Sequence, residues 1–416
     1  MQAFFVSLGS LGDTLPFIVW GKALSERGHD VTLLVNGHYQ RQVEEAGLNF
    51  AATLTAAEFQ DFALQQRTQS PAEAGRAMAQ ILVDKIPQVY EYLAERYIPA
   101  QTVVAGQGYA FGARIAQEVL GIPTATVHLQ PLWLRSTADS PDFPAWCPRF
   151  LPRAVDRFAD LIADRFLAPQ TNRFRAQFGL APAKRMMKHW WNSPDCVLGL
   201  FPEWFAAPQA DWPANVTLPG FVLEREQPPL ADELAAFVDS GEAPLVFTQT
   251  AEKPEVRDFF AVSADVARRL GRRAVFVAPN ADLVPAGLSA EILVVNFAPL
   301  ARLLPRAALH VHHGGIGTIA YTLAAGVPQL TVPMVYDQPN NSLRLARLGV
   351  STNLPPKSYQ PARVETEIRR LLASTDVAVR CAEYAERMRH EQGVERACRA
   401  LEDLVSRTAT RTAEAH

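Results

Sequence analysis

Short runs of apolar residues alternate with longer amphipathic segments along most of the chain. The run at residues 2–8 is bounded by glycine and is typical of a buried parallel strand. The segment that follows has Pro16 in its first turn, repeats apolar residues at spacings of three and four, and ends at Gly28, which predicts a helix. The next predicted strand covers residues 31–35. This order of elements predicts a parallel sheet with helices packed against it.

The same alternation continues further along the chain and predicts a second sheet. Predicted strands at 102–105 and 124–128 continue the first half. In the second half, predicted strands cover residues 245–248, 274–277, 292–295, 309–312 and 329–332, and predicted helices cover 256–270 and 319–325. Between the two regular halves, residues 131–220 hold most of the tryptophans and many prolines, and we expect this part to be irregular.

These patterns predict the domain organisation. We expect a first domain at residues 1–220, a polar, proline-bearing linker at 221–230 and a second domain at 231–375. A helical segment at 376–405 and a flexible tail at 406–416 follow. A length of 416 residues suits two domains of this size.

Composition and charge exclude several classes of protein. Apolar residues make up 48% and charged residues 20%, as in ordinary globular proteins. Lys and Arg number 40 against 43 acidic residues, so no basic excess favours a nucleic-acid partner. The four cysteines lack CxxC spacing, which argues against a zinc ribbon and favours a reducing compartment. With no predicted leader and no long apolar stretch, we expect a cytoplasmic protein.

The sharpest motif is the segment HHGGIGT at residues 312–318, which lies between a predicted strand and a predicted helix. Its glycines let backbone approach a ligand closely, and the start of the helix presents unpaired N–H groups. Imidazole and hydroxyl groups add further donors, so the motif predicts a cradle for a diphosphate. A glycine-rich turn with packed histidines is the alternative. A metal held by His310, His312 and His313 is disfavoured because no carboxylate is near.

Three polar residues follow the next predicted strand. Asp337, Gln338 and Asn341 lie in one loop, where their side chains are suited to hydrogen-bond the hydroxyls of a sugar. Turn and cap chemistry is the alternative role for such residues.

Together these segments resemble the donor-binding signature of the GT-B glycosyltransferases of family 1. The matching parts are HHGGIGT at 312–318, AAGVPQ at 324–329 and P-x-x-x-DQ-x-x-N at 333–341. The opening GSLGDTLP at 9–16 is similar to the GS-x-GD-x-x-P opening of that family. Segments at 106–116, 193–206, 211–213 and 244–249 further resemble the rhamnosyltransferase B chains of rhamnolipid biosynthesis. The resemblance spans about residues 1–405 and implies an α/β GT-B fold, in which two Rossmann-like domains have parallel sheets that face a central cleft.

The activity implied by the resemblance is an inverting sugar transfer. L-Rhamnose would move from dTDP-L-rhamnose to the hydroxyl of a 3-(3-hydroxyalkanoyloxy)alkanoate lipid and give mono-rhamnolipid. Asp13 would act as the general base that takes the proton of the acceptor, with capping of the first helix as the alternative role. Neither a metal nor another cofactor is expected, and the chain has no Asp-x-Asp motif. The donor residues and Asp13 fall in different domains, so we expect the cleft to close for catalysis.

The resemblance also implies roles for individual positions. The expected diphosphate-binding residues are His312, His313, Gly314, Gly315, Gly317, Thr318, Thr248, Gln249 and Thr250. Phe297 and Ala298 are expected at the nucleobase, and Asp337, Gln338 and Asn341 at the sugar. Many relatives have Trp where Phe297 stands, and Gly at position 250. The expected acceptor-side residues are Ser10, Gly12, Gly106, Tyr109, His128 and Trp133. The G-x-G-x-x-x-G run at 106–112 imitates a dinucleotide fingerprint but lacks its downstream acid.

The expected partners are a nucleotide-sugar donor and a lipid-like hydroxyl acceptor. A peripheral contact with the inner face of the membrane, or with a partner acyltransferase, is a further expectation, and segment 184–191 is the candidate membrane contact. Buried tryptophans with solvated lysines are the alternative for that segment. Two other functions stay open: a natural-product or sterol glycosyltransferase that uses another UDP- or dTDP-sugar, and a non-catalytic nucleotide-sugar-binding protein.

Overall fold

A computed structural model describes residues 1–68, 70–138, 141, 147–148, 150–249 and 254–414. The chain divides into two compact units. The first comprises Met1–Val222 together with Gln392–His416, and the second comprises Leu223–Glu391. Each unit has its own parallel β-sheet, as the strand and helix patterns predict.

The first unit has a seven-stranded sheet in the order β3-β2-β1-β4-β5-β6-β7, in which every neighbouring pair is parallel. Its strands are β1 (Gln2–Val6), β2 (Asp30–Val35), β3 (Asn49–Ala52), β4 (Thr102–Gln107), β5 (Thr124–His128), β6 (Cys196–Gly199) and β7 (Val216–Thr217). Its helices are α1 (Leu11–Glu26), α2 (Gln40–Glu45), α3 (Ala56–Thr68), α4 (Pro71–Asp84), α5 (Ile86–Arg96), α6 (Phe111–Leu120) and α7 (Phe150–Ala176).

The central strand β1 shows why its apolar run forms a buried strand. Ala3 and Phe5 belong to the core cluster that contains Phe17 of α1, whereas Phe4 and Val6 belong to the cluster that contains Phe111 of α6 and the residues around it. Side chains alternate between the two faces of a strand, so both faces of this sheet are covered. A strand that is buried on both faces needs apolar residues at every position.

The second unit has a six-stranded parallel sheet in the order β10-β9-β8-β11-β12-β13. Its strands are β8 (Leu245–Thr248), β9 (Ala274–Val277), β10 (Ile292–Val295), β11 (Leu309–His312), β12 (Gln329–Thr331) and β13 (Ser351–Asn353). Its helices are α8 (Asp232–Asp239), α9 (Pro254–Leu270), α10 (Leu300–Leu303), α11 (Ile316–Ala325), α12 (Gln338–Arg347), α13 (Pro361–Ala373) and α14 (Thr375–Arg389).

The C-terminal helices are divided differently from the expectation. Helix α14 belongs to the second unit, where Gly326 at the end of α11 faces Ala385. Only α15 (Gly393–Glu414) returns to the first unit, so the crossing falls at Gln392 and not at residue 376. Arg27 at the end of α1 pairs with Glu395 and Glu402 of α15. Helix α15 also continues through the predicted flexible tail as far as Glu414, because no Gly or Pro interrupts residues 394–414.

The expectation of an irregular segment at 131–220 is wrong for much of its described part. The 27-residue helix α7 lies there, followed by a short π-helical turn at Met186–Trp190 and by strands β6 and β7. The sequence of α7 does not show the usual pattern of a surface helix, because several of its largest apolar side chains face solvent while its acidic residues face inward. In the described residues, no helix has the length and apolar character needed to cross a bilayer.

Candidate active site

In each unit the strand order reverses direction at one point. This point lies between β1 and β4 in the first unit and between β8 and β11 in the second. Loops that leave the two flanking strands at such a point run to opposite faces of the sheet, and the crevice between them is where open α/β sheets bind ligands. Asp13 follows β1, and the HHGGIGT segment begins at the end of β11. The strongest sequence motif of each unit therefore lies at its switch point.

In the first unit, Asp13 is held by four hydrogen bonds in the first turn of α1. Its Oδ2 accepts from the backbone N–H of Ser10 at 2.9 Å and from the Ser10 hydroxyl at 2.8 Å. Its Oδ1 accepts from Gln107 Nε2 at 3.2 Å and from the Tyr109 hydroxyl at 3.3 Å. Asp13 therefore caps α1 through Oδ2, while the last residue of β4 and the loop after it orient Oδ1.

Two residues of this arrangement were not among the expected site positions. A Cβ at Gly9 would lie closer than 3.0 Å to the Asp13 carboxylate, so glycine is needed for the side chain to fold back toward Ser10. Gln107 ends strand β4, whose residues 103–106 are apolar or glycine. It is buried, and its Oε1 accepts from the Ser7 hydroxyl at 2.7 Å. The signal for Gln107 is a polar residue at the carboxyl end of a strand whose other side chains are apolar or small.

Other expected acceptor-side residues lie in the core or on the surface. His128 is buried, its Nε2 lies 2.8 Å from Asn192 Oδ1, and burial lowers its pKa to about 4. Its ring lies 5.1 Å from that of Trp191, which Trp133 contacts edge-on at 6.0 Å. Gly12 is exposed on α1. His128, Trp133 and Trp191 pack together, so the structure supports a packing role for His128 rather than contact with a ligand.

The glycine run at 106–112 serves close packing. Gly106 is buried in β4, with Ala110 at 3.2 Å from a Cβ built on it. A Cβ at Gly108 would lie 2.7 Å from His128 Cε1, and one at Gly112 would lie 2.6 Å from the carbonyl oxygen of Ile86 in α5. These contacts explain the glycines without a dinucleotide.

Three of the segments that carry the rhamnosyltransferase resemblance, 106–116, 193–206 and 211–213, lie in the first unit, whereas 244–249 contains β8 of the second unit. Asp211 accepts from the Ser136 hydroxyl and from the Thr137 backbone N–H, both at 2.7 Å. Trp212 packs edge-on against the fully buried Phe201 at 6.2 Å. Asp211 therefore ties the residues that follow Trp133 to the segment between β6 and β7.

Most apolar residues of the expected membrane segment at 184–191 are buried, whereas Lys184, Arg185 and His189 are exposed. Met186, Trp190 and Trp191 are core residues, and Lys188 is also buried, with its Nζ bonded to the carbonyl oxygen of Arg135. This segment therefore offers neither apolar side chains nor that lysine to a membrane. The alternative is correct for the tryptophans and for the exposed Lys184, but not for the buried Lys188.

In the second unit, the glycine loop joins β11 to the start of α11. Gly314 has a φ of 88°, and a Cβ there would lie closer than 3.0 Å to Ser342 Oγ and 3.1 Å from the carbonyl oxygen of Gln338. Gly315 is the N-cap of α11, so the backbone N–H groups of the first turn have no acceptor inside the helix. Gly317 is exposed and Thr318 is half-buried in that turn. The loop thus presents backbone donors at the positive end of a helix.

His310 and His312, on strand β11, form hydrogen bonds that hold the glycine loop and the elements beside it in place. His312 is fully buried, its Nδ1 accepts from the Gly314 N–H at 3.1 Å, and its Nε2 donates to Gln329 Oε1 at 2.9 Å. His310 bridges the Thr248 hydroxyl at 2.9 Å and the Thr322 hydroxyl at 2.8 Å. Both nitrogens of His312 are therefore engaged, which differs from the expectation that this side chain binds phosphate. Thr248 likewise turns its hydroxyl into the sheet.

His313 differs from His310 and His312 because its ring is not fully hydrogen-bonded within the described residues. Its Nδ1 is buried without a partner in the part of the chain that the structure describes. Its Nε2 lies beside Gly315, where a Cβ would approach to 2.5 Å. Burial lowers the pKa of His313 to about 4, so the ring is neutral near pH 7 and retains one N–H donor. A buried unpaired ring nitrogen beside a helix N-terminus is suited to an anionic ligand.

The DQ-x-x-N segment is tied to this loop. Asn341 Nδ2 donates to the carbonyl oxygen of Gly314 at 3.2 Å and to Asp337 Oδ2 at 2.5 Å. Gln338 Oε1 accepts from the backbone N–H groups of Met334 and Val335 at 2.8 and 3.1 Å. The three expected sugar-binding residues are thus brought together at the start of α12, next to the glycine loop.

The remaining expected donor residues follow neighbouring strands. Gln249 is buried after β8, and Thr250 lies outside the described residues. Phe297 follows β10 and is 68% exposed, whereas the adjacent Ala298 is buried. An exposed phenyl ring argues against core packing for Phe297. In the described residues, no three His, Cys, Asp or Glu side chains form a group that could hold a metal.

Comparisons with known proteins agree with this geometry. The glycosyltransferase family 28 N-terminal domain matches residues 4–138, and the erythromycin biosynthesis protein CIII-like C-terminal domain matches residues 276–400. This chain is a GT-B glycosyltransferase.

The relatives of this glycosyltransferase include enzymes of natural-product biosynthesis. An O-mycaminosyltylonolide 6-deoxyallosyltransferase from Streptomyces fradiae is 28% identical over 99% of each chain. The glycosyltransferase of kitacinnamycin has the same fold, with a TM-score of 0.73 and 22% identity over 97% of this chain and 99% of that one. The spinosyn rhamnosyltransferase SpnG complexed with thymidine diphosphate gives a TM-score of 0.68 and 21% identity over 97% of this chain and 100% of that one.

Proposed function

We propose that this glycosyltransferase moves a 6-deoxyhexose, L-rhamnose, from dTDP-L-rhamnose to the hydroxyl of a 3-(3-hydroxyalkanoyloxy)alkanoate, with inversion at the anomeric carbon. The observation that carries the transferase reaction is the position of the two motifs at the switch points, one with a carboxylate and the other with an anion cradle. The sugar and the lipid rest on the resemblance of residues 106–116, 193–206, 211–213 and 244–249 to rhamnosyltransferases of rhamnolipid biosynthesis.

The second unit is proposed to bind the donor along the carboxyl ends of its strands. The diphosphate lies at the first turn of α11, against backbone N–H groups and His313. Three strand spacings, about 14 Å, separate β11 from β10, whose end carries the exposed ring of Phe297. An extended nucleoside diphosphate would cross this distance, with its base stacked on Phe297. The sugar would then meet Asp337 and Gln338, while the fully buried Asn341 holds Asp337 and the glycine loop in place.

The first unit is proposed to supply the base. The acceptor hydroxyl passes its proton to Asp13 Oδ1 as its oxygen forms a bond with C1 of the sugar. The bond between C1 and the diphosphate oxygen breaks, and dTDP leaves with the electron pair. The helix N-terminus and the neutral His313 N–H stabilise the charge that grows on the leaving group, so the step requires no metal.

A second acceptor class is favoured by a separate observation. The 28%-identical relative is named for transfer to a macrolide, O-mycaminosyltylonolide. A macrolide or another natural-product aglycone is therefore the competing acceptor for the same donor site and the same base.

The proposal is tested by incubating the full chain with paired substrates and analysing the products by mass spectrometry. The pairs are dTDP-L-rhamnose with a 3-(3-hydroxyalkanoyloxy)alkanoate, dTDP-L-rhamnose with a macrolide aglycone, and UDP-glucose with a sterol. We expect a product one rhamnosyl unit heavier than the lipid, from the first pair only. Product from the second or third pair alone would discard the lipid acceptor. Binding of dTDP with no transfer from any pair would favour a non-catalytic binding protein.

A further inference from the structure

Helix α7 has an unusual distribution of side chains. Its acidic residues Asp156, Asp160 and Asp164 recur every four positions and therefore share one face. That face points into the first unit: Asp156 and Asp160 pair with Arg135, and Asp164 accepts from the backbone N–H groups of Arg185 and Met186 at 2.8 Å. These three carboxylates would face solvent on an ordinary surface helix, but here they are paired inside the fold.

The opposite face of α7 exposes large apolar side chains. Phe150, Phe158 and Leu161 are 69, 65 and 63% exposed. The other exposed apolar residues of this face are Leu151, Val155, Ile162 and Phe166. At 150–250 Å² per aromatic side chain, Phe150, Phe158 and the 45% exposed Phe166 alone expose about 270–450 Å². This is comparable with the largest apolar patch of a typical monomer, so the face requires an explanation.

Three arginines border the apolar side chains. Arg165 lies among them, four positions from Leu161, whereas Arg153 and Arg157 lie three positions from Asp156 and Asp160, at the margin toward the acids. Arg153, Arg157 and Arg165 are exposed on α7, and none of them has an ion pair within the described residues. The surface formed by these arginines and the seven exposed apolar residues is here called the α7 face. Because Asp156, Asp160 and Asp164 are paired inside the fold, the charge that α7 itself brings to the α7 face is positive.

We propose that the α7 face binds the surface of a membrane that contains anionic lipids. A helix with protruding aromatic and aliphatic side chains and flanking arginines lies in the interface of such a membrane, where the rings enter the acyl boundary and the guanidinium groups meet phosphates. A second copy of this chain is a poorer occupant, because a two-fold contact between identical faces would bring the arginines of both copies together. This inference is independent of the sugar and acceptor proposed above.

The test is sedimentation of the full chain with vesicles of phosphatidylcholine alone and of an equimolar mixture with phosphatidylglycerol. We expect binding to the anionic vesicles only, with release at about 1 M salt, where the Debye length falls to about 3 Å. The double variant Phe158→Ser/Leu161→Ser should weaken the partition at least tenfold. The variant Arg153→Gln/Arg157→Gln/Arg165→Gln should weaken it on the order of fivefold per arginine, at about 1 kcal/mol each. Val379→Ser is the matched control, because Val379 is a 64% exposed apolar residue on α14.

Thermal unfolding of the same variants keeps the test decisive. Exposed side chains contribute little to folding, so Phe158→Ser/Leu161→Ser should melt within about a degree of the parent protein. No binding of the parent protein to anionic vesicles, or equal binding of the double variant, would overturn the proposal. A melting temperature lowered by several degrees would overturn it too, because the face would then be covered within the folded chain. So would a dimer in analytical ultracentrifugation that the double variant dissociates without any vesicle binding.

Discussion

Replacing Gly314 with alanine should damage both the stability of the second unit and its affinity for dTDP. The residue lies where β11, α11 and α12 meet, and its carbonyl oxygen accepts from Asn341. Two separate costs follow from the structure. The φ of 88° is a left-handed conformation, which costs an L-residue with a Cβ about 1–2 kcal/mol. The new methyl group would also collide with Ser342 Oγ.

The second cost is large because the neighbour cannot leave. Ser342 is fully buried on α12, and the carbonyl oxygen of Gln338 lies 3.1 Å from the new Cβ on another side. Overpacking of this kind costs about 1–3 kcal/mol. The total is about 2–5 kcal/mol, a large share of the 5–15 kcal/mol that separates folded from unfolded proteins.

Gly287→Ala is the matched control for the backbone cost. Gly287 has a φ of 74° and no heavy atom within 4 Å of a built Cβ, so it bears the left-handed cost alone. We would compare both variants by urea denaturation, followed by circular dichroism, and by calorimetric titration with dTDP. Gly314→Ala should lose about 1–3 kcal/mol more than Gly287→Ala. It alone should lose at least a factor of ten in dTDP affinity, about 1.4 kcal/mol. Adding Ser342→Ala should restore part of both losses.

The reasoning would be refuted by two variants that behave alike. Equal free energies of unfolding would mean that the loop is not locked against α12. An unchanged dTDP affinity in Gly314→Ala would mean that this loop does not cradle the diphosphate.

Three further predictions concern single features of the two units. His313→Ala should weaken dTDP binding by about 1–3 kcal/mol through loss of one buried donor, and an unchanged Kd would reassign the role. Phe297→Ala should weaken dTDP binding by about 0.5–1.5 kcal/mol and leave the melting temperature unchanged, because the ring is exposed; a lower melting temperature would show core packing instead. The pKa of His128 and of His313 is lowered to about 4 and that of His312 to about 3, so the unfolded chain takes up protons first as the pH falls. Stability should therefore be complete above about pH 6.5 and decline toward pH 4, by on the order of 1–2 kcal/mol per histidine at pH 5, and a urea midpoint independent of pH would contradict their burial as neutral rings.

The strands were predictable because parallel strands are buried on both faces. Five of them, including β5 and β11, begin and end where the apolar runs do. Each run is short, continuous and ended by polar or glycine residues, and this pattern leaves little freedom in placing the boundary. The donor motif was predictable because glycines and histidines at a strand–helix junction have few roles besides binding an anion or closing a tight turn.

The missed features depend on contacts between residues that are distant in the sequence. Helix α7 was not predicted because its apolar side faces outward, which reverses the pattern that marks an ordinary surface helix. The different environments of His312 and His313 follow from strand alternation and from Gln329, 17 residues away. Gln107 reaches Asp13 only because β4 lies beside β1 in the sheet. No local pattern encodes these pairings.

The central claim is that Asp13 takes the proton of the acceptor while the second unit holds the donor. The most direct test is Asp13→Asn, assayed for transfer from dTDP-L-rhamnose by mass spectrometry and for dTDP binding by calorimetry. Because Asp13 also caps α1, the control is Glu73→Gln, which neutralises the carboxylate that bonds the Ser70 N–H and hydroxyl in the same way at the start of α4. The account predicts a loss of ~10²–10⁴-fold in turnover for Asp13→Asn, with dTDP affinity within about threefold and full activity in the control. Turnover near that of the parent protein in Asp13→Asn would contradict it.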